Sequence, residues 1–228
     1  MRSHSFLLVV LAFVAGVSPA QDVSQLLVYA DFEKVQDGRP LSARDGTVTL
    51  TGYQQNNAKP TAYSNSDQPY PRAPLVLPAA DNFVSQRVAF DFQISTPNEW
   101  AGVNLTVRGL PDTDGKATAE DMSAYSSIRF KVSVAGARSL KVELISKDNG
   151  INVPDGSYPQ TTFTVKDENY NVYRIPLKRF AQPSWAKEKT NVKDALKKLT
   201  AVQFTVQDVP SKGRIVLDNI VFEKEPIK

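Results

Sequence analysis

Two polar residues interrupt the most apolar stretch near the end of the chain. Between Ile215 and Phe222, the side chains of Asp218 and Asn219 stand among aliphatic ones. A carboxylate at such a position has two interpretations. It marks a register kink in a surface edge strand, or it is held in place to bind a ligand, most typically a metal ion. The residue types found elsewhere in the chain limit which chemistry such a site can perform.

The chain contains no Cys, and its single His is His4. Ser-His-Asp and Cys-His nucleophilic catalysis are therefore excluded for the rest of the chain. Zinc, copper and iron sites that need His or Cys ligands are excluded for the same reason. A metal site in this protein would have to use oxygen ligands, which are the ligands that calcium prefers.

Aromatic residues near strand ends, and polar residues on outward strand faces, form a second group of candidates. The C–H face of a sugar ring stacks on Tyr or Trp, and its hydroxyls bind to planar polar groups. Each candidate also has a structural interpretation, because such an aromatic often covers the core and such a polar residue is often only solvated. The predicted sugar-binding residues are Tyr63, Trp100, Arg129, Tyr158 and Gln203.

Catalysis by carboxylates alone is the third possibility. Glycoside hydrolysis needs two carboxylates at a controlled separation and no His. Glu99, Glu143 and Asp91 could pair in principle, but no motif singles them out among 24 acidic residues. The chain is therefore predicted not to be an enzyme.

Apolar and polar residues alternate along most of the chain, which is the pattern of half-buried β-strands. The pattern occurs in RVAFDFQIS, GVNLTVRG, SIRFKVSV, LKVELIS, TFTV, VYRIPL and AVQFTVQ. The first strands are predicted over Leu26–Glu33 and Thr47–Gly52, and turn dipeptides such as Asp37-Gly38 separate the strands. Many short strands with one apolar face each require two sheets packed face to face. The predicted fold class is therefore all-β, a two-sheet antiparallel β-sandwich of the jelly-roll type.

Two segments depart from the strand pattern. Apolar residues at helical spacing predict one short helix over Asn191–Leu199. Residues 53–85 include five prolines between Pro60 and Pro78, which is incompatible with a central strand. We expect this segment to be a surface excursion, and its role in binding or as decoration stays open.

The first residues have the features of a secretory signal peptide. Arg2 supplies the positive charge, residues 6–17 form an apolar core, and Ser18-Pro19-Ala20 fits the cleavage pattern. The sequence therefore predicts a signal peptide over residues 1–20 and a single β-sandwich domain over residues 21–228. A secreted or periplasmic location follows, and the absence of Cys favours a bacterial protein.

The charge balance argues against two classes of partner. Lys and Arg number 27 against 24 Asp and Glu, so the chain is nearly neutral. Neither nucleic acid nor an anionic membrane surface is favoured by such a balance. No segment after the signal region is apolar enough to span a membrane, and we expect a monomer.

Four short motifs, in this order, resemble the jelly-roll carbohydrate-binding modules of the family 11 type and their galactose-binding-like relatives. The motifs are Asp121–Tyr125, Ile175–Leu177 with Phe180, Gln182–Trp185 and Leu217–Ile220. The resemblance extends over residues 28–223 and is weakest over residues 53–85. The complex I intermediate-associated protein 30 family shares this architecture, so the motifs mark the fold better than the function.

The resemblance implies a non-catalytic module that binds a poly- or oligosaccharide. It also implies a structural calcium ion where the first and last strands meet, with Asp31, Glu33 and Asp218 as side-chain ligands. The alternative function is a structural or interaction domain of the cell envelope without a sugar ligand. The alternative to calcium is that Asp218 accepts backbone hydrogen bonds at a strand bend while Glu33 is solvated.

Overall fold

The computed structural model describes residues 25–53, 62–63, 73–78, 86–107, 118–146, 153, 156–207 and 210–224. The predicted signal peptide and most of residues 53–85 lie outside this set. The described residues form short strands, one α-helix and one 3-10 turn at Leu177–Arg179. The strands are β1 (Leu26–Ala30), β2 (Val35–Gln36), β3 (Arg39–Pro40), β4 (Val48–Tyr53), β5 (Ala62–Tyr63), β6 (Leu75–Leu77), β7 (Arg87–Ile94), β8 (Trp100–Thr106), β9 (Ser127–Ala135), β10 (Ser139–Ile145), β11 (Gln160–Thr164), β12 (Asn171–Pro176), β13 (Ala201–Val206) and β14 (Ser211–Glu223), and the helix is α1 (Val192–Lys197).

These strands assemble into two large antiparallel sheets and one small hairpin. The seven-stranded sheet has the order β12-β9-β14-β7-β5, with β1 paired to β14 and β6 paired to β7. The five-stranded sheet has the order β11-β10-β13-β8-β4, and β2 pairs with β3 alone. The predicted all-β antiparallel sandwich is confirmed.

The core lies between the two large sheets and is built from the alternating apolar positions. On β9, Ile128, Phe130 and Val132 are all buried. Phe130 packs edge-on against Phe204 of β13, with the ring centroids 5.0 Å apart. Because β9 and β13 belong to different sheets, this contact joins the two layers, and such a pair adds about 1 kcal/mol beyond its burial.

The Asp218-Asn219 interruption is a β-bulge in the interior of the seven-stranded sheet. On one side β14 pairs with β7 up to Leu217 and with β1 from Ile220 onward. On its other side the register with β9 shifts at the same place. Asn219 adopts φ 54°, a left-handed conformation that Asn tolerates better than most residues. The extra residue lets both Leu217 and Ile220 face the core, although they lie three positions apart.

The register kink is therefore real, but the edge-strand interpretation is wrong, because β14 has neighbours on both sides. The predicted first strand also ends too late. β1 stops at Ala30 rather than Glu33, because Phe32 has φ 59° and turns the chain. β4 begins at Val48, one residue later than predicted.

The helix α1 is shorter than the predicted Asn191–Leu199. Asn191 is its N-cap, and the Asn191 Oδ1 accepts a hydrogen bond from the Asp194 backbone N–H at 2.9 Å. Leu199 has left the helix and forms an isolated bridge with Glu120. No helix among the described residues is long and apolar enough to cross a membrane.

Candidate functional site

The outer face of the five-stranded sheet carries a continuous row of polar side chains. Alternation places these residues opposite to the core positions of their strands. The strand registers then align them across the whole sheet, one from each strand. We call this set the polar row; in order from β11 to β4 it consists of Gln160, Glu143, Gln203, Asn104 and Thr49.

Hydrogen bonds fix the middle of the polar row. The Asn104 Nδ2 donates to the Gln203 Oε1 at 3.3 Å, and the Gln203 Nε2 donates to the Glu143 Oε2 at 3.2 Å. The Lys141 Nζ lies 2.9 Å from the same Glu143 oxygen. The side chains of Lys141 and Glu143 are only 15% and 8% exposed, so each charge is compensated by the other. The floor of this face is therefore ordered and has no net charge.

A cavity of about 470 Å³ lies above this floor, and we call it the sheet cavity. Three aromatic side chains stand around it. Trp185 is 63% exposed. Tyr158 is only 6% exposed, so only a small part of its surface faces the cavity. The lining residues are Trp100, Lys141, Glu143, Ile145, Gly156, Tyr158, Gln160, Trp185, Gln203 and Gln207.

The loop that carries Trp185 is held to the Tyr158 segment by Gln182. The Gln182 Nε2 donates to the Ser157 carbonyl at 2.8 Å and to the Glu188 carbonyl at 2.9 Å. The Gln182 Oε1 accepts from the Thr190 backbone N–H at 2.8 Å. A single side chain thus joins its own loop to residues 188–190 and to Ser157. The Gln-Pro-Ser-Trp motif seen in the sequence therefore positions an exposed Trp beside Tyr158.

Trp100 occupies the opposite part of the cavity, at the start of β8. It pairs in register with Tyr53 of β4, whose side chain is 43% exposed. The turn before Trp100 is fixed by Glu99, whose Oε2 accepts from the backbone N–H groups of Ser95 and Thr96 at 2.8 and 3.1 Å. Glu99 therefore shapes the turn instead of facing the cavity.

The other carboxylates considered for catalysis are also occupied. Asp91 lies on the seven-stranded sheet, where the hydrogen bond and charge of Arg214 hold the pKa of its carboxyl below the usual value. Glu143 is tied to Lys141 and Gln203. The geometry thus brings no two of these carboxylates together.

The predicted sugar-binding residues divide between the two sheets. Trp100, Tyr158 and Gln203 line the sheet cavity together. Arg129 does not join them, because it lies on the seven-stranded sheet and its Nε donates to the Glu223 Oε1 at 2.6 Å. Tyr63 belongs to β5 of that same sheet, and its side chain lies outside the described residues.

Arg129 belongs to a charge cluster around the buried carboxylate of Glu223. The Arg174 Nε lies 2.6 Å from the Glu223 Oε2, and the Ser127 hydroxyl is 3.3 Å from that oxygen. Burial raises the pKa of Glu223, but the hydrogen bond from Arg129 and the charge of Arg174 outweigh it, so the pKa falls below its usual value. The outward position of Arg129 was correctly read from the alternation, but the sequence did not show which outer face it occupies.

Sequence reasoning left Lys141, Gln160 and Trp185 out of the predicted site. Lys141 and Gln160 are outward positions on alternating strands, so the pattern held the signal needed to find them. Trp185 enters the sequence analysis only as the end of the Gln182–Trp185 motif. Its large exposure shows that its ring is available at the surface.

The predicted calcium ligands lie near the bulge of β14. Ala30 pairs with Ile220, so Asp31 follows β1 beside the Asp218-Asn219 bulge. Asp218 is 3% exposed. Among the described residues, however, no three acidic or His side chains form a group suited to a metal ion.

Glu33 binds the backbone just before β7. Its Oε1 accepts a hydrogen bond from the Gln86 backbone N–H at 2.7 Å. Asp218 instead neighbours Tyr170, whose pKa is raised by burial and by the negative charge of Asp218. The Arg87 guanidinium lies 5.6 Å from the centre of the Tyr170 ring. The carboxylate thus has a phenol and a nearby cation in its surroundings.

A sequence model for carbohydrate binding domain 30 matches residues 45–224, which is more than half of the chain. No curated protein matches the chain in sequence.

Solved structures with the same fold include several carbohydrate-binding modules. The family 11 module of the cellulosomal cellulase Lic26A-Cel5E of Clostridium thermocellum has a TM-score of 0.55 and 15% identity, covering 89% of this chain and 96% of that one. The family 30 module of the cellulosomal cellulase Cel9D-Cel44B of Clostridium thermocellum has a TM-score of 0.51 and 13% identity, covering 78% of this chain and 99% of that one. An exo-β-agarase has a TM-score of 0.51 and 13% identity, covering 90% of this chain and 26% of that one.

Proposed function

The chain belongs to the carbohydrate binding domain 30 family, and we propose that it binds a neutral poly- or oligosaccharide in the sheet cavity. Modules of this kind are non-catalytic, so the chain is a carbohydrate-binding domain and not an enzyme. The observation that carries the proposal is the cavity itself, where Trp100, Tyr158 and Trp185 surround a fixed polar floor.

The chemistry of the cavity matches a sugar ring. The exposed face of Trp185 offers a flat apolar surface for the C–H groups of a pyranose. The floor offers amide donors and acceptors, because Gln203 uses one donor and one acceptor within the described structure and an amide has capacity for more. A hydroxyl both donates and accepts, so a row of amides can bind consecutive hydroxyls.

The charge of the cavity supports a neutral ligand. Among the described residues, Lys141 and Glu143 are the only charged ones in its lining, and they form one ion pair. A uronic acid or an amino sugar would be repelled by one member of the pair and attracted by the other. The pair therefore has no net charge to offset the cost of removing a charged ligand from water.

Export and a monomeric state are further proposals. The features of residues 1–20 support export, and the near neutrality of the chain is compatible with a glycan-binding protein outside the cytoplasm. Amino-terminal sequencing of the protein expressed with its natural start tests the export proposal. An uncleaved terminus would contradict it, and sedimentation analysis tests the monomer.

A structural calcium ion at the junction of β1 and β14 also stays a proposal. The position of Asp31 beside the bulge and the burial of Asp218 support it, since both supply oxygen. Glu33 gives less support than the resemblance implies, because its carboxylate is exposed and binds a backbone N–H. Backbone carbonyls and water would have to complete the six to eight oxygens that calcium takes.

The function is tested by affinity electrophoresis of the folded protein in gels that contain a single polysaccharide. The neighbouring cellulase and agarase names make mixed-linkage β-glucan and agarose the first choices, followed by xylan and mannan. We expect retardation by at least one neutral polysaccharide and none by polygalacturonate. Retardation by polygalacturonate alone would contradict a neutral ligand. Mobility unchanged in every gel would favour the alternative of an interaction domain without a sugar ligand.

A further inference from the structure

We infer that the glycan-binding surface continues past the sheet cavity, over β4, into a second cavity beside the β2–β3 hairpin. This inference rests on the proposed function. The second cavity has a volume of about 430 Å³, and we call it the hairpin cavity. Its lining residues are Gln36, Asp37, Arg39, Pro40, Leu41, Thr47, Val48 and Thr49.

The polar row connects the two cavities. Glu143 and Gln203 line the sheet cavity, and Thr49 at the far end of the row lines the hairpin cavity. Asn104 lies between them and is hydrogen-bonded to Gln203. Gln203, Asn104 and Thr49 all stay partly exposed. Since strands lie about 4.8 Å apart, the row spans about 19 Å, which suits a glycan chain laid across the strands.

The hairpin is a preformed wall. Asp37 and Gly38 have φ of 51° and 73°, as the two central residues of a type I′ turn require. The Leu41 backbone N–H donates to the Lys34 carbonyl at 2.9 Å, and Leu41 forms a bridge to Thr47 at the start of the β4 segment. A ligand would therefore not have to order this wall, which reduces the entropy cost of binding.

The start of β4 lies between β8 and the hairpin. Thr47 directs its backbone toward β8, because its carbonyl accepts from the Thr106 N–H at 2.9 Å. Successive residues of a strand direct these groups to opposite sides, so the backbone of Val48 faces the hairpin, which the Leu41–Thr47 bridge joins to β4. The hairpin therefore fixes one wall of the cavity, and a ligand there would contact the side chains of the lining residues.

The charge of the hairpin cavity repeats that of the sheet cavity. Asp37 and Arg39 are the only charged residues among the described residues that line it, and they have opposite signs. Both side chains are exposed, and neither forms an ion pair with another described residue. Each cavity thus has no net charge among its described lining residues, and the polar row joins the two. This arrangement suits a long neutral glycan.

Binding of a trisaccharide and a hexasaccharide by isothermal titration calorimetry tests the inference. The sugars are taken from the polysaccharide that retards the protein most in the gels. We expect the hexasaccharide to bind more tightly to the unmodified protein. Arg39→Ala should weaken hexasaccharide binding about fivefold and leave trisaccharide binding unchanged, because only the longer chain reaches the hairpin cavity.

Lys34→Ala is the matched control, since it removes a cation from the same region outside the cavity. Its ion pair with Asp45 is exposed, so the fold should be unaffected. Equal affinity for both sugars, or an equal loss for both in Arg39→Ala, would overturn the inference while leaving the sheet cavity as the binding site. The hairpin would then serve only to cover the edge of β4. Absence of binding to any polysaccharide would instead overturn the proposed function.

Discussion

The two outer faces of the sandwich use polar residues in opposite ways. On the seven-stranded sheet several charged groups form pairs across strands. Arg214 binds both carboxylate oxygens of Asp91, at 2.6 and 2.8 Å, and Glu223 lies between Arg129 and Arg174. These contacts fix strands to one another and leave little capacity for a ligand.

On the five-stranded sheet the same kind of position carries mostly amides. Asn104 and Gln203 each use part of their hydrogen-bonding capacity, and the one ion pair there is screened from solvent. The exposed Trp185 lines the same cavity as Glu143 and Gln203 of this row. The proposed binding face therefore differs from the other face in having spare hydrogen-bonding capacity next to an aromatic ring, and not in polarity alone.

The junction of β1 and β14 gives the largest expected effect on stability. If calcium binds there, saturating calcium should raise the free energy of unfolding by about 2.7 kcal/mol at a hundredfold excess over Kd. For a domain of this size the melting temperature should rise by about 5–10 °C. Asp218→Asn should remove most of that difference, and glycan affinity should not change, because the junction lies away from the sheet cavity.

Melting of the unmodified protein and of Asp218→Asn, each with calcium and with chelator, provides the measurement. The protein is first unfolded, stripped of metal and refolded. Melting that is indifferent to chelation after this treatment would show that the metal assignment is wrong. Asp218 would then act only through its neighbours in the protein.

Trp185→Ala should cause the largest loss of binding. An exposed aromatic ring in a binding face contributes about 2 kcal/mol. Affinity for the polysaccharide that retards the protein most in the gels should therefore fall about 30-fold. Its melting temperature should stay unchanged, because the ring is 63% exposed. Val172→Ala is the control, since Val172 is 48% exposed on the seven-stranded sheet. Equal binding by the two variants would break the distinction between the faces.

Glu223→Gln should weaken the fold and leave glycan binding intact. Two arginines would lose their common partner, so the free energy of unfolding should fall by about 2 kcal/mol near neutral pH. Asp91→Asn, in a pair that is about half exposed, should cost less than about 1 kcal/mol. Urea unfolding gives both values, and a larger cost for Asp91→Asn would contradict the role of burial.

The pH dependence of Glu223 has a definite sign. Its pKa is held below the ordinary value of 4.5, so its stabilising contribution is present above that pH. The contribution is lost as the pH falls through the lowered pKa, because the carboxylate must then be protonated. The stability difference between the unmodified protein and Glu223→Gln should therefore shrink in acid. A difference that grows toward low pH would mean that the arginines do not stabilise this carboxylate.

Gln203→Ala should give the smallest effect, about a fivefold loss of affinity. It removes one amide from the middle of the polar row and leaves Lys141 to pair with Glu143. Thr162→Ala is the control, because Thr162 is exposed on the same sheet but does not line the sheet cavity. Calorimetry with the hexasaccharide distinguishes the two. A loss in Thr162→Ala as large as that in Gln203→Ala would mean that the polar row has no special part in binding.

Much of the fold could be predicted from the sequence, because a half-buried strand has an apolar residue at every second position, on the side that faces the core. Phe130 and Phe204 were assigned to the core on that basis. Sheet membership was not readable, since Arg129 and Gln203 have the same local pattern and lie on opposite faces of the sandwich. Which outer face binds depends on long-range pairing of strands.

The resemblance to family 11-type modules is confirmed. The predicted function came mainly from this resemblance and less from the individual residues. Trp100, Tyr158 and Gln203 line the sheet cavity, and their part in binding stays a prediction. Trp185 is not among the predicted binding residues, because a Trp in such a loop more often packs on the core or defines the fold. Only the bonds of Gln182 to neighbouring backbone show how that loop holds the ring at the surface. The bulge at Asn219 was likewise visible in the sequence as an interruption of an apolar stretch. Its place in the interior of the sheet could be known only from the strands that pair with β14.

The central claim is that the outer face of the five-stranded sheet binds a neutral glycan. Amide chemical shifts of the isotopically labelled protein, followed as the hexasaccharide is added, test it most directly. We predict the largest changes on β8, β10 and β13, around Glu143 and Gln203, and at the Trp185 indole N–H. Changes concentrated instead on β9 and β14, around Arg129 and Arg214, would place the ligand on the wrong sheet and contradict the account.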